Sequence, residues 1–283
     1  MQKHWPVKPG SATLGMADDH SKQKKFPMSL NTFIAGSLMS GLLGLMTCSA
    51  GANPITVAVA SNFTPALQDI AARFEIESGH TVGISSASTG KLYAQITNGA
   101  PFDVLLAADA ERPRLLEASG HGVAGSRLTY AIGGLVLWSR DPALAAADCR
   151  QQLKNLGTKR VAIANPDTAP YGTAAKETLI RLELWERVEP QLVTGENIAQ
   201  TLHFVASGNA SLGFIAATQS FDARLPNATC TWPVPPELHR PIEQQAIVLK
   251  RAAENSVAAD FMDFLTGSAG REIIERHGYA LPD

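Results

Sequence analysis

Ile55-Thr56-Val57-Ala58-Val59-Ala60-Ser61-Asn62-Phe63-Thr64-Pro65-Ala66-Leu67 is the stretch from which the fold is read. Ile55 to Val59 is a short apolar run rich in Val and Ile, the mark of a buried strand. Leu67, Ile70, Ala71 and Phe74 then recur at helical spacing, and Ser78-Gly79-His80 ends that helix. Between them, Thr64-Pro65 reads as an N-cap followed by the proline favoured at a first helical position. Ser61 and Asn62 fall on the turn just before it.

The rhythm continues outward. Thr81 to Ile84 predicts a strand, Leu92 to Ile96 a helix, Asp103 to Ala107 a strand and Arg114 to Ala118 a helix. A second run has strand Arg160 to Ala164, helix Thr173 to Leu184, strand Gln191 to Thr194, helix Ile198 to Ser207 and strand Gly213 to Ala216. Alternation of this kind predicts an α/β fold with parallel strands. Leu128 to Trp138 is too long for one ordinary strand and is broken by Gly133-Gly134, so it reads as a crossing between two lobes. The Pro-rich Trp232 to Pro236 leads to an apolar strand, Gln244 to Leu249, which is expected to return to the first lobe. Val257 to Leu265 and Ala269 to His277 close the chain as helices. The expected division is residues 53–132 and 238–283 for lobe 1 and residues 133–237 for lobe 2.

The first 52 residues read differently. Lys22-Gln23-Lys24-Lys25 precedes the uncharged run Phe33 to Met46, and small residues follow at Ala50-Gly51-Ala52. That run is too short to span a bilayer comfortably, so 1–52 is expected to be a secretory signal peptide, with a retained anchor as the alternative. Met16 or Met28 competes as the true initiator. Cys48 offers a weak lipid-attachment box that competes with cleavage after Ala52. With the leader removed, Cys149 and Cys230 remain, two thiols or one disulfide in an oxidising compartment.

Four segments rich in Ser, Thr, Asn and Gly open predicted helices: Ser61 to Pro65, Ser88 to Lys91, Pro170 to Thr173, and Thr194 to Ile198. A helix N-terminus carries unpaired N–H donors and about half a positive charge. Brought together at the carboxyl ends of strands, four of them make an anion site that needs no cationic side chain. Gly90-Lys91 does not fit a phosphate loop, because Leu92 stands where a magnesium-binding Ser or Thr is required; Lys91 reads as a solvated charge. Glu196 and Asp167 are expected to face solvent or cap their own helices.

Of the 283 residues, 45% are hydrophobic and the net charge of −2 includes no basic block past the leader, which argues against nucleic acid. The candidate turns hold no His and no Cys, and no HExxH, GxSxG or CxxC pattern occurs, so catalysis is not expected. The four Tyr are dispersed along the chain, which disfavours a ferric site built from paired tyrosines.

Several separated blocks resemble the periplasmic molybdate-binding proteins of ABC transporters. They are Ile55 to Leu67, Gly90 to Ile96, Gly99 to Asp109, Ala164-Asn165-Pro166 and Ala174 to Glu177. The resemblance runs from about Asn53 to the C-terminus. It implies a two-lobed periplasmic-binding-protein fold (type II) with the ligand in the cleft between lobes. It also implies molybdate or tungstate as ligand, no cofactor, an ABC permease as partner, a periplasmic location and a monomer. Carried over position by position, ligand contacts fall on Ser61, Asn62, Thr89, Tyr171 and Ile198, with Ser88 in reserve for Thr89. Some members place a tyrosine near Gly213 to Ala216, where this chain has Ala216. Sulfate or another tetrahedral oxyanion is the nearest alternative ligand, and an enzyme acting on a phosphorylated metabolite is the more distant one.

Overall fold

The computed structural model describes residues 54–145, 148–222 and 225–282. The expected signal peptide, the Cys48 lipid-attachment box and the initiator alternatives lie outside the described residues. Among the described residues no helix is long and apolar enough to cross a membrane.

Among the described residues, ten strands form two five-stranded sheets. The first contains β1 (Ile55–Ala60), β2 (Val82–Ala87), β3 (Val104–Leu106), β4 (Leu128–Gly133) and β10 (Ile242–Val248), in the order β2-β1-β3-β10-β4. The second contains β5 (Leu135–Ser139), β6 (Val161–Ala164), β7 (Leu192–Gly195), β8 (Leu212–Ala216) and β9 (Cys230–Pro233), in the order β7-β6-β8-β5-β9. In each sheet three strands run parallel and the fourth and fifth are antiparallel additions. The helices are α1 (Thr64–Ser78), α2 (Thr89–Thr97), α3 (Glu111–Ala118), α4 (Cys149–Gln152), α5 (Pro170–Arg181), α6 (Trp185–Val188), α7 (Ile198–Ala206), α8 (Ser256–Thr266) and α9 (Ser268–Arg276).

The chain passes between the sheets twice. Leu128 to Trp138 makes the first passage, as two strands in different sheets divided at Gly133-Gly134. The second passage lies between β9 and β10. The Pro-rich Trp232 to Pro236 is also partly strand, since Trp232 and Pro233 pair with Leu137 and Val136 at a sheet edge, where proline is tolerated.

One apolar core packs β1, β3, β4 and β10 under α1, α8 and α9, with Phe63, Leu67, Phe74, Phe261 and Ile274 at its centre. The other packs β5, β6 and β8 against α5, around Leu137, Ile163, Leu179 and Phe214. Cys149 on α4 and Cys230 on β9 are disulfide-bonded, with Cα atoms 5.6 Å apart. The β10–β4 ladder shifts register between Gln244 and Gln245, so Gln244 faces Ala131 and Gln245 faces Thr129. Such a bulge re-aims side chains. Here both glutamines are buried in a strand that is otherwise apolar beyond them.

Candidate oxyanion site

Each of the four helix openings follows a parallel strand. β1 leads through Ser61-Asn62-Phe63 to α1, and β2 through Ser88 to α2; β6 leads through residues 165–169 to α5, and β7 through Glu196-Asn197 to α7. All four tips meet at one cavity between the sheets. It is lined by Ser61, Asn62, Ser88, Thr89, Tyr171 and Ile198 together with Ala60, Ala108, Ala169, Pro170 and Asn197. No charged side chain lines it. The cavity is narrow, about 10 Å³.

The donors left over are informative. Among the described residues, no backbone carbonyl accepts from the N–H of Asn62, Thr89, Tyr171 or Ile198. Ser88 Oγ is fully buried and has no hydrogen-bond partner, the one such side-chain atom among the described residues. Burying a hydroxyl without a partner costs about 1–3 kcal/mol, so a polar ligand at this point recovers energy the fold has given up. Thr89 Oγ1 already accepts from the Ala108 N–H at 3.0 Å. Neither hydroxyl caps α2: Ser88 stands at the N-cap position but makes no side-chain cap hydrogen bond. Thr64 does not cap α1 either; it is the first helical residue, and its hydroxyl meets Ser86 Oγ at 2.7 Å. Asn197 does cap α7, accepting from the Gln200 N–H at 3.0 Å.

The Tyr171 ring is buried, and its oxygen lies 3.3 Å from Gln244 Nε2. The tyrosines scattered along the sequence are not scattered in space. Tyr130, Tyr171 and Tyr279 all reach the pair Asn62 and Gln244. Burial pushes the Tyr130 and Tyr171 phenols well above their ordinary value, and Tyr279 up to about 12. They are neutral O–H donors at physiological pH, which disfavours the phenolate ligation a ferric ion uses. Tyr130, Tyr279, Gln244 and Gly133 escaped the sequence reading. Two adjacent glutamines in an apolar strand were the available signal.

The lobes are closed on each other. The Gly90 N–H donates to Thr168 O at 2.8 Å, and Arg112 Nη2 donates to Asp167 O at 3.1 Å. Lys91 Nζ meets Glu196 Oε1 at 2.7 Å across the cleft. Lys91 is therefore a paired rather than a lone solvated charge, and Glu196 is exposed to solvent, as expected, and does not cap α7. Closure has brought two half-exposed opposite charges together outside the cavity. Two wider grooves flank the site. One, of about 510 Å³, carries Arg276 and His277; the other, of about 620 Å³, carries Asp109, Arg112 and Arg240.

A family model described as "Bacterial extracellular solute-binding protein" matches residues 55–280. A molybdate-binding protein ModA from Azotobacter vinelandii is 47% identical over 239 residues, covering 84% of this chain and 94% of that protein. The ModA of Rhodobacter capsulatus is 42% identical, covering 90% of this chain and 98% of its own. A solved periplasmic molybdate-binding protein from Azotobacter vinelandii superimposes with a TM-score of 0.76 at 39% identity, over 81% of this chain and all of that one. The chain belongs to the bacterial extracellular solute-binding protein family.

Proposed function

We propose that this protein captures molybdate, and tungstate, in the periplasm and delivers it to the membrane permease of an ABC importer. The observation that carries the reading is the uncharged cavity at four helix tips, with the buried Ser88 hydroxyl and the N–H groups of Asn62, Thr89, Tyr171 and Ile198 left without partners. A dianion there meets only donors. Each hydrogen bond to a charged group contributes about 1.5–3 kcal/mol against its desolvation. The relatives named as molybdate-binding proteins support the choice of ion.

Ser61, Asn62, Tyr171 and Ile198 are assigned as ligand contacts, with Ser88 supplying a hydroxyl and Thr89 its N–H. Ser88 moves from reserve to contact because its buried oxygen is unpartnered, while Thr89, whose oxygen accepts from the Ala108 N–H, keeps its hydroxyl hydrogen as a further donor. An oxyanion is larger than one water, so seating it parts the two walls slightly while leaving the donors in reach. Organic substrates fill pockets of roughly 300–1,000 Å³, far more than this cavity. With no His, Cys, Asp or Glu on its lining, the site is read as a carrier's, performing no chemistry. The protein is read as a monomer without cofactor or nucleic-acid partner.

Narrowness alone favours the smaller sulfate, which is the second reading. Calorimetric titration with molybdate, tungstate, sulfate and phosphate separates the two. One-to-one binding of molybdate and tungstate, with sulfate far weaker, is expected. Sulfate bound as tightly as molybdate rejects the assignment.

A further inference from the structure

Gln244 comes from β10 of lobe 1, Tyr171 from α5 of lobe 2, and the two meet beneath the cavity. We propose that Gln244 is a positioning residue for the oxyanion site: a hydrogen-bond chain of fixed direction obliges the Tyr171 hydroxyl to donate into the cavity. The proposal rests on the oxyanion reading above and concerns how the site selects an oxygen that carries no proton.

The direction is set by a group that can only accept. Tyr279 donates its single hydroxyl hydrogen to the Asn62 carbonyl at 2.8 Å. Its oxygen can then only accept, and Asn62 Nδ2 donates to it at 3.1 Å. The same nitrogen donates its other hydrogen to Gln244 Oε1 at 2.8 Å. Gln244 Oε1 also lies 3.2 Å from the Tyr130 hydroxyl, whose one hydrogen is shared with the Ala107 carbonyl at the same distance, so Asn62 is the donor that fixes the carbonyl end of that amide. The amide nitrogen is thereby turned to Tyr171 and donates to its oxygen at 3.3 Å.

A phenol has one hydrogen. With its oxygen accepting from Gln244, the Tyr171 hydrogen is directed elsewhere, and Tyr171 lines the cavity. Burial keeps the phenol protonated, as its raised pKa reflects. Two features of the backbone make the meeting possible. The bulge between Gln244 and Gln245 sets Gln244 beside Tyr130. Gly133 has no side chain where a Cβ would overlap the Tyr171 oxygen and crowd Gln244 Nε2. A protonated oxyanion such as monohydrogen phosphate would present a donor to a donor at this point; molybdate presents only acceptors.

The test is titration calorimetry with molybdate on the leaderless protein and four variants, with thermal melts to check folding. Tyr171→Phe is expected to weaken binding between about 10- and 100-fold, the range for one hydrogen bond to a charged group. Gln244→Leu should cost at least as much. The double variant should bind no more weakly than Gln244→Leu alone. Gln244→Glu supplies a pH readout that a merely structural role would not move. A carboxyl buried there titrates well above its usual range. Protonated, it can donate to Tyr171; ionised, it takes the Tyr171 hydrogen. Affinity of this variant should therefore fall steadily from pH 6 to pH 9 while the unmodified protein stays flat. Losses that multiply in the double variant, or a Gln244→Glu protein that tracks the parent at every pH, overturn the proposal. Should Gln244→Leu give no cooperative melt, the Gln244→Glu profile decides alone. A parent protein indifferent to molybdate would instead sink the oxyanion reading itself.

Discussion

Lobe 1 lays β2, β1 and β3 side by side in parallel and then accepts β10 and β4; lobe 2 does the same with β7, β6 and β8, followed by β5 and β9. In both, the two loops that reach the cavity follow the central parallel strand and its outer neighbour, β1 and β2 in one, β6 and β7 in the other. What they carry differs. Lobe 1 brings short side chains, Ser61, Asn62, Ser88 and Thr89, close to its backbone. Lobe 2 brings one long phenol and the bare N–H groups of α5 and α7. Lobe 1 thus carries its donors close to its own backbone, whereas the phenol that lobe 2 brings takes its partner, Gln244, from lobe 1. The lobes also differ in how they are held. Lobe 1 is packed under the terminal helices α8 and α9, while lobe 2 is tied by Cys149–Cys230.

The largest effect expected from this contrast is on stability. Replacing both cysteines by serine frees a loop of 81 residues and should cost about 4 kcal/mol of unfolding free energy. Hydrogen exchange should place the loss in β5 to β9. Equal acceleration in β1 and β2 would show that the lobes unfold as one unit and would break the comparison.

Next in size is a pH effect seated in lobe 1. The folded pKa of Tyr279, about 12, lies above its unfolded value near 10. A raised folded pKa means stability fully present below pH 10 and lost as pH climbs to 12, on the order of 3 kcal/mol for two pKa units. Denaturant titrations between pH 9 and pH 12 check this; Tyr279→Phe should make the curve shallower, the buried Tyr130 and Tyr171 keeping their own share of the slope.

Closure can be broken without touching a donor side chain. A Cβ on Gly90 would come within 2.9 Å of the Thr168 Cα and carbonyl oxygen, both backbone atoms of the opposite lobe. Gly90→Ala should therefore weaken molybdate binding by about 2 kcal/mol, within the range for overpacking. The ligand-free melt should barely move. By contrast, a Cβ on Gly172 would overlap Ala164 O inside lobe 2, so Gly172→Ala should lower the melt itself. The smallest effect belongs to Lys91→Gln, which removes a half-exposed ion pair across the cleft and should cost under about 1 kcal/mol, vanishing at high salt.

The βα units were legible in the sequence because each is local: the apolar run, the turn and the helical period lie within thirty residues, as in Ile55 to Phe74. The convergence of the four helix tips followed from that regularity, since such turns gather at the carboxyl ends of parallel strands. The antiparallel additions were less visible. β9 pairs with β5 across some ninety residues, and its proline disguised it. The floor of the site was hidden for the same reason. Asn62 lies 182 residues from Gln244 and 217 from Tyr279, and meets them only in the folded chain. Lys91 and Glu196 also belong to different lobes, so nothing local marked them as partners.

Crystals grown with molybdate and measured at the molybdenum absorption edge give the most direct test. The account predicts one anomalous peak in the narrow cavity, within hydrogen-bonding distance of Ser61, Ser88, Tyr171 and the Ile198 N–H, with no charged side chain in contact. A peak beside Arg276 and His277, or beside Arg112 and Arg240 in the flanking grooves, would contradict it.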